Sequence, residues 1–229
     1  NYTITLVDGT FSIEGAGKLL VSIADATTTY GTNAAFTPVS ARYYSASDQA
    51  ILTLSLANSS GNSWVARETV NGVTSDAATF TLGALSGTYS TAGALVVGDY
   101  QIGATASARL SSNFATLAFS NGTLSVTPKT LTSAMANVSK TYDGTTAATS
   151  VSLSLTGALT NDLVSVSSTG AAFASRNVGA GLVVTANGLT LSGADKDNYV
   201  LSAQTATGTG DILVKSCLLY TSDAADDTP

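Results

Sequence analysis

Apolar and small polar residues alternate with period two along much of the chain, in Tyr2-Thr-Ile-Thr-Leu6, at Leu52, Leu54 and Leu56, in Val151-Ser-Leu-Ser-Leu155, and at Val164 and Val166. Such alternation turns one face of an extended strand to a core and the other to water. Turn pairs sit between these stretches: Asn71-Gly72 after Trp64 to Val70, Asn121-Gly122 before Leu124, and Asn187-Gly188 between Val183-Val184 and Leu189-Thr-Leu191. Asn and Gly accept the positive φ angles of tight hairpins, so each pair predicts a hairpin turn. No segment carries a sustained helical stripe. Proline is confined to Pro38, Pro128 and Pro229.

The pattern also repeats. The separation from Asn1-Tyr2 to Asn113-Phe114 equals that from Tyr30-Gly31 to Tyr142-Asp143-Gly144, and Asn198-Tyr199 supplies a third Asn-aromatic pair. After each pair come a turn and a short closing strand: Asp8-Gly-Thr-Phe-Ser-Ile13, Asn121-Gly-Thr-Leu-Ser-Val126, and more loosely Gly208-Thr-Gly-Asp-Ile212. The last unit is shorter, which places an insertion at about residues 45–80 of the middle one. Self-similarity at a fixed period sets the architecture before local propensity does. The division that follows is 1–14, the end of a preceding repeat; 15–127, a unit with the insertion; 128–213, a second unit; and 214–229, a disordered tail. Pro128 opens the linker, where its missing N–H costs no ladder bond. The fold class expected is all-β, with tandem β-sandwich-like repeat domains, immunoglobulin-like or β-grasp-like in detail.

Four motifs in order, Lys140-Thr-Tyr-Asp-Gly-Thr-Thr-Ala-Ala-Thr149, Phe173-Ala-Ser-Arg-Asn-Val-Gly179, Gly188-Leu-Thr-Leu-Ser-Gly-Ala-Asp195 and Asn198-Tyr199, resemble a complete YDG domain over about residues 128–213. The preceding unit, with Thr29-Tyr-Gly31, Val97-Gly-Asp-Tyr100 and Asn113-Phe114, resembles the related MBG-type repeats, with Phe114 in place of the usual Tyr. The resemblance implies a piece of a filamentous-haemagglutinin-like or other giant bacterial surface adhesin, secreted or held at the cell surface, in which such units occur in tandem. It implies neighbouring repeats of the same chain as partners. The chain opens in mid-motif without an initiator methionine, so it reads as a fragment. It has no apolar run long enough to cross a bilayer.

Composition changes this picture in two places. Cys217-Leu-Leu-Tyr-Thr-Ser-Asp-Ala-Ala-Asp226 resembles the conceptual translation of a sequencing adapter, and such a segment is set aside from fold reasoning. It holds the single cysteine and, with its flank, the acids Asp223, Asp226 and Asp227. The rest of the chain then has neither a disulfide framework nor a thiol nucleophile, and its acidic balance is milder than the overall charge of −6. Without a basic patch, nucleic acid and anionic membrane surfaces are poor partners.

The chemical inventory is thin. With no histidine there is no Ser/His/Asp or Cys/His triad, and no cofactor is expected. Asp195 and Asp197 could pair for glycoside hydrolysis, and Asp195, Asp197 and Asn198 offer oxygen ligands for calcium, yet lack the glycine and distal Glu of an EF-hand loop. Asp and Asn also serve as ordinary turn residues. Tyr142 with Asp143-Gly144, and Tyr199 after Asn198, are expected as structural anchors: a ring at the core edge with its hydroxyl on a partner. Trp64, in the insertion, is either a core residue of an extra hairpin or an exposed face for stacking on host or environmental glycans. Lys140, if buried, could form an isopeptide bond with an Asn or Asp. Asn-x-Ser/Thr triplets at Asn1, Asn58, Asn121 and Asn137 fit glycosylation or chance. Function is therefore expected as a stalk segment of an adhesin, with a glycan- or mucin-binding module as the alternative.

Overall fold

The computed structural model describes residues 3–7, 10–14 and 17–216; the adapter-like segment from Cys217 onward lies outside them. The chain divides into two compact units, Asn1–Lys129 and Thr130–Pro229, with Pro128 beside the boundary. Among the described residues the helical content is one 3-10 turn, Lys196–Asn198, and no helix is long and apolar enough to cross a membrane. The architecture is all-β and sandwich-like, built of curled sheets.

The first unit opens with β1 (Thr3–Val7) and β2 (Thr10–Glu14), which pair antiparallel with each other. Then follow β3 (Lys18–Ile23), β4 (Ala26–Thr29), β5 (Pro38–Ser45), β6 (Ala50–Ser60), β7 (Ser63–Val70), β8 (Val73–Ala84), β9 (Gly98–Arg109), β10 (Thr116–Ser120) and β11 (Gly122–Thr127). These nine form one sheet in the order β10-β3-β5-β6-β7-β8-β9-β11-β4. The ends of that order are joined through the chain. Only Ala24-Asp25 separates β3 from β4, and only Asn121 separates β10 from β11, so each pair is one bent strand. The two bent strands run parallel with the same register on either side of the bend, from Thr116 beside Lys18 to Ser120 beside Ser22 and from Leu124 beside Ala26 to Thr127 beside Thr29. The sheet therefore closes on itself, around a core that includes Leu19, Val21, Phe80, Ile102, Phe114 and Leu124. Residues 45–80, expected as an insertion, run from the end of β5 through most of the β6-β7-β8 meander, which lies between β5 and β9 in this sheet.

Turn chemistry explains one hairpin and corrects two others. At the tip of β7 and β8, Asn71 (φ 51°) and Gly72 (φ 79°) link the paired Val70 and Val73, the two-residue turn that needs positive φ twice. Asn121-Gly122 is no hairpin turn. It is the bend of a strand, and Gly122 is required there for another reason: a Cβ would stand 2.4 Å from the Ala24 carbonyl oxygen of the parallel neighbour. Asn187-Gly188 likewise leads out of one sheet into another.

The second unit uses β12 (Lys129–Met135), β13 (Val138–Thr141), β14 (Leu153–Thr156), β15 (Ser165–Ser167), β16 (Gly170–Phe173), β17 (Gly179–Asn187), β18 (Thr190–Ser192), β19 (Tyr199–Leu201) and β20 (Thr205–Leu213). Its sheets are β14-β12-β19, β13-β20-β17-β16 and β15-β18. Here too the first stretch of strand lies beside the last. β12 neighbours β19, where the Ser202 N–H donates to the Leu131 carbonyl at 2.9 Å. β13 pairs parallel with β20, Val138 beside Gly210 through Thr141 beside Leu213. At Gly210 a Cβ would stand 2.5 Å from the Val138 carbonyl oxygen and 2.8 Å from the Phe173 ring. Val138, Ala148, Phe173, Val184 and Ile212 form the core beneath this crossing.

Candidate functional site

The four-motif stretch begins where β13 ends, and its first motif is a clamp on one ammonium group. The chain turns at Gly144 (φ 78°), a conformation that disfavours any side chain, and this brings three residues back over Lys140. The Lys140 Nζ donates to Asp143 Oδ1 at 2.8 Å, to the Thr145 carbonyl at 2.8 Å and hydroxyl at 3.2 Å, and to the Ala147 carbonyl at 2.9 Å. It also lies 5.7 Å from the centre of the Phe173 ring. Asp143 Oδ1 accepts in addition from the Thr145 N–H and hydroxyl. The Lys140 hydrogen bond, then those from Thr145, hold the Asp143 carboxyl down at about 2. An isopeptide bond between these two side chains would need a neutral acid and a neutral amine, and the pair is instead an ion pair.

Tyr142 departs from its expected place. Its side chain is exposed, at 39%, while its N–H donates to the Leu213 carbonyl at 2.9 Å and so ends the β13-β20 pairing. The core beside it is filled by Val138, Phe173 and Ile212 instead. At the matching position of the first unit the Tyr30 N–H donates to the Thr127 carbonyl at 2.8 Å, yet Tyr30 is fully buried and its hydroxyl donates to Ser90 Oγ at 2.5 Å. Gly31 (φ 77°) carries the turn there. The backbone role is common to both tyrosines; the burial is not.

Asn113-Phe114 serves a hub that the sequence reading passed over. Phe114 is buried with its ring 5.6 Å from that of Tyr43, and the Asn113 side chain donates to both Glu68 carboxylate oxygens, at 2.9 and 2.8 Å. Tyr43 gives its hydroxyl hydrogen to Glu68 Oε1, and Ser111 donates to Oε2 at 3.3 Å. Two oxygens offer about four lone-pair positions, and these four bonds occupy them. An open cleft of about 680 Å³ runs past Glu68, Tyr43, Ser45, Asp48 and Asn113. Its carboxylate floor is taken up by the chain's own donors. Burial, then the hydrogen bond to Glu68 and its charge, push the Tyr43 hydroxyl up to about 12. Position 68 was legible only as a polar residue among the buried Val65 and Ala66.

At Asn198-Tyr199 a tyrosine hydroxyl again meets a carboxylate. Both residues are buried. The Tyr199 hydroxyl donates to Asp162 Oδ2 at 2.5 Å and accepts the Leu159 N–H at 2.9 Å. The calcium candidates do not converge. Asp195 is buried and accepts the Leu163 N–H at 2.8 Å, whereas Asp197 is exposed and pairs with Lys196 Nζ at 2.7 Å. Among the described residues no group of three or more acidic, histidine or cysteine side chains is placed to hold a metal. As a catalytic pair Asp195 and Asp197 are differently placed: one is buried on a backbone amide and the other faces solvent.

Trp64 is half-buried. It faces Phe80 across the strand pair, on the core side, and its indole N–H donates to the Phe36 carbonyl at 3.1 Å. Asn62 braces the same loop, accepting from the Phe36 N–H and donating to the Ala34 carbonyl. Together they fasten the β4-β5 connection to β7 and the turn before it.

Fold and side chains together define an all-β, two-unit protein in which the recurrent motif residues close the units. Residues 127–207 match the family model of the YDG domain, so the second unit carries that domain. No curated protein and no solved structure matches the chain.

One pH dependence follows from the clamp. The Asp143 carboxyl lies below its ordinary value of 3.8 in the folded unit, so its contribution to stability is complete above about pH 4 and is lost as pH falls toward about 2. Thermal unfolding followed between pH 5 and pH 2 is expected to show a small extra loss, given the exposed carboxylate, that Asp143→Asn removes.

Proposed function

We propose that the chain is a spacer segment of a secreted or surface-anchored bacterial adhesin, its two units serving as tandem members of a longer stalk, the first of them MBG-like. The observation that carries this reading is that the polar groups of Lys140, Glu68, Trp64 and Tyr199 are each bound within their own unit. Lys140 is held by the turn it opens, Glu68 has its acceptor positions filled, Trp64 is tied by its indole N–H, and Tyr199 by its hydroxyl. Polar groups spent in this way stabilise a shape and leave little to select a ligand. The YDG match supports the adhesin setting, and stacked units of one kind give reach without new chemistry. Neighbouring repeats are the partners this reading implies, and the cell surface or extracellular space its location.

The test is a binding screen of the whole chain against immobilised glycans and mucin-type glycoproteins, with Trp64→Ala alongside. The spacer reading expects no saturable capture by either protein. Saturable capture that disappears in a folded Trp64→Ala variant would replace it with a lectin-like module.

A further inference from the structure

In the first unit, after the β1-β2 pair, and in the second from its start, the chain runs in along one strand and leaves along another, and those two strands lie side by side and parallel. In the first unit the entering strand is β3-β4 and the leaving strand β10-β11, in one register from Lys18 and Thr116 to Thr29 and Thr127. In the second the parallel pair is β13 and β20, in register from Val138 and Gly210 to Thr141 and Leu213, with β12 beside β19 ahead of it. A pull on the two ends of a unit draws the entering strand toward its start and the leaving strand toward its end. The strands are then asked to slide past each other, and their backbone hydrogen bonds bear the load together. If the same strands were parted from one end, the bonds would break in turn, each alone.

We infer that the parallel pair of early and last strands makes each unit a shear-loaded mechanical clamp; the inference rests on the stalk reading and gives that stalk its resistance to tension. Side chains brace the pair against sliding. In the first unit Asp25, at the bend of the entering strand, accepts the Thr123 N–H of the leaving strand at 2.7 Å. In the second, Lys140 and its turn fix the end of β13 where Tyr142 donates to Leu213. Gly122 and Gly210 let the strands approach at the bends. The described residues hold no cysteine, so no disulfide shares the load. Forced unfolding is governed by the rate of crossing the unfolding barrier and not by equilibrium stability, so strand geometry, more than net stability, sets the force.

The experiment is single-molecule force spectroscopy on the full chain with Cys217→Ser, using engineered cysteines as handles in two geometries. Lys129→Cys with Val214→Cys pulls the second unit along its terminal strands. Tyr142→Cys with Val214→Cys pulls the neighbouring ends of β13 and β20 apart. At one loading rate the first geometry is expected to need a several-fold higher force and to release about 85 residues, an extended length of about 300 Å. Thermal unfolding of both variants confirms that each starts folded. Equal forces in the two geometries, or release without a force peak along the terminal strands, would overturn the clamp and leave a spacer that merely separates. Failure of the spacer reading itself would appear elsewhere, as glycan capture, and would not alter the ratio of forces.

Discussion

Glu68→Ala is expected to destabilise the first unit by roughly 3 kcal/mol, the sum of an orphaned buried hydroxyl, lost charge-assisted bonds and a small cavity. The Tyr43 hydroxyl is the costliest loss, because Tyr43 is 2% exposed. Asn113 is exposed and can turn to solvent, so its share is smaller. Adding Tyr43→Phe should recover part of the loss, since removing both partners of a buried bond costs less than removing one. Chemical denaturation of the single and double variants checks this, and equal losses in the two would contradict the hub. The same hub sets an alkaline limit. The Tyr43 hydroxyl sits at about 12 when folded against an ordinary 10.0, so its contribution is complete below pH 10 and is lost as pH rises toward about 12. Tyr43→Phe should remove that component of alkaline unfolding.

Gly210→Ala is the second large effect, at about 3 kcal/mol or more of the second unit's stability, the upper range for overpacking. The added carbon would stand 2.5 Å from the Val138 carbonyl oxygen and 2.8 Å from a Phe173 ring carbon. Neither can yield cheaply: Val138 is backbone of the paired strand, and Phe173 is 3% exposed in the core. Gly122→Ala should act alike on the first unit, through the Ala24 carbonyl at 2.4 Å. Gly170→Ala is the control. It lies on β16 with nothing within 4 Å of the added carbon, and should change stability little. Thermal unfolding of the three variants compares them directly, and a harmless Gly210→Ala would mean that the strands are not in contact at this crossing.

These glycines mark where the sequence could be read and where it could not. Asn71-Gly72 was legible as a hairpin because a two-residue turn is a local event with its own chemistry. Asn121-Gly122 carries the same letters but bends a strand, and its glycine answers to Ala24, a residue far away in the chain. No local rule contains that contact. The parallel pairing of early and last strands escaped for the same reason, since alternation assigns a strand its faces but not its neighbour. Leu19-Leu20-Val21, a run without alternation, hid a strand paired on both edges. The motif residues were found by recurrence, and recurrence cannot tell burial from exposure. Tyr30 and Tyr142 make the same backbone bond, yet Ser90 lies over one while the other faces solvent. Glu68 was missed because a single acid in a strand looks like a solvated face until its donors arrive from β5 and from the loop after β9.

Each unit is locked by its last strand lying parallel to an early one, β3-β4 in the first unit and β13 in the second. Native-state amide hydrogen exchange, resolved residue by residue, tests it most directly. The account predicts that the slowest amides of the first unit fall in 18–29 and 116–127 and those of the second in 129–141 and 199–213, exchanging only with opening of the whole unit. Fast exchange in those strands, with the slowest amides confined to the β6-β7-β8 meander or to β16 and β17, would show units that close some other way, and would contradict it.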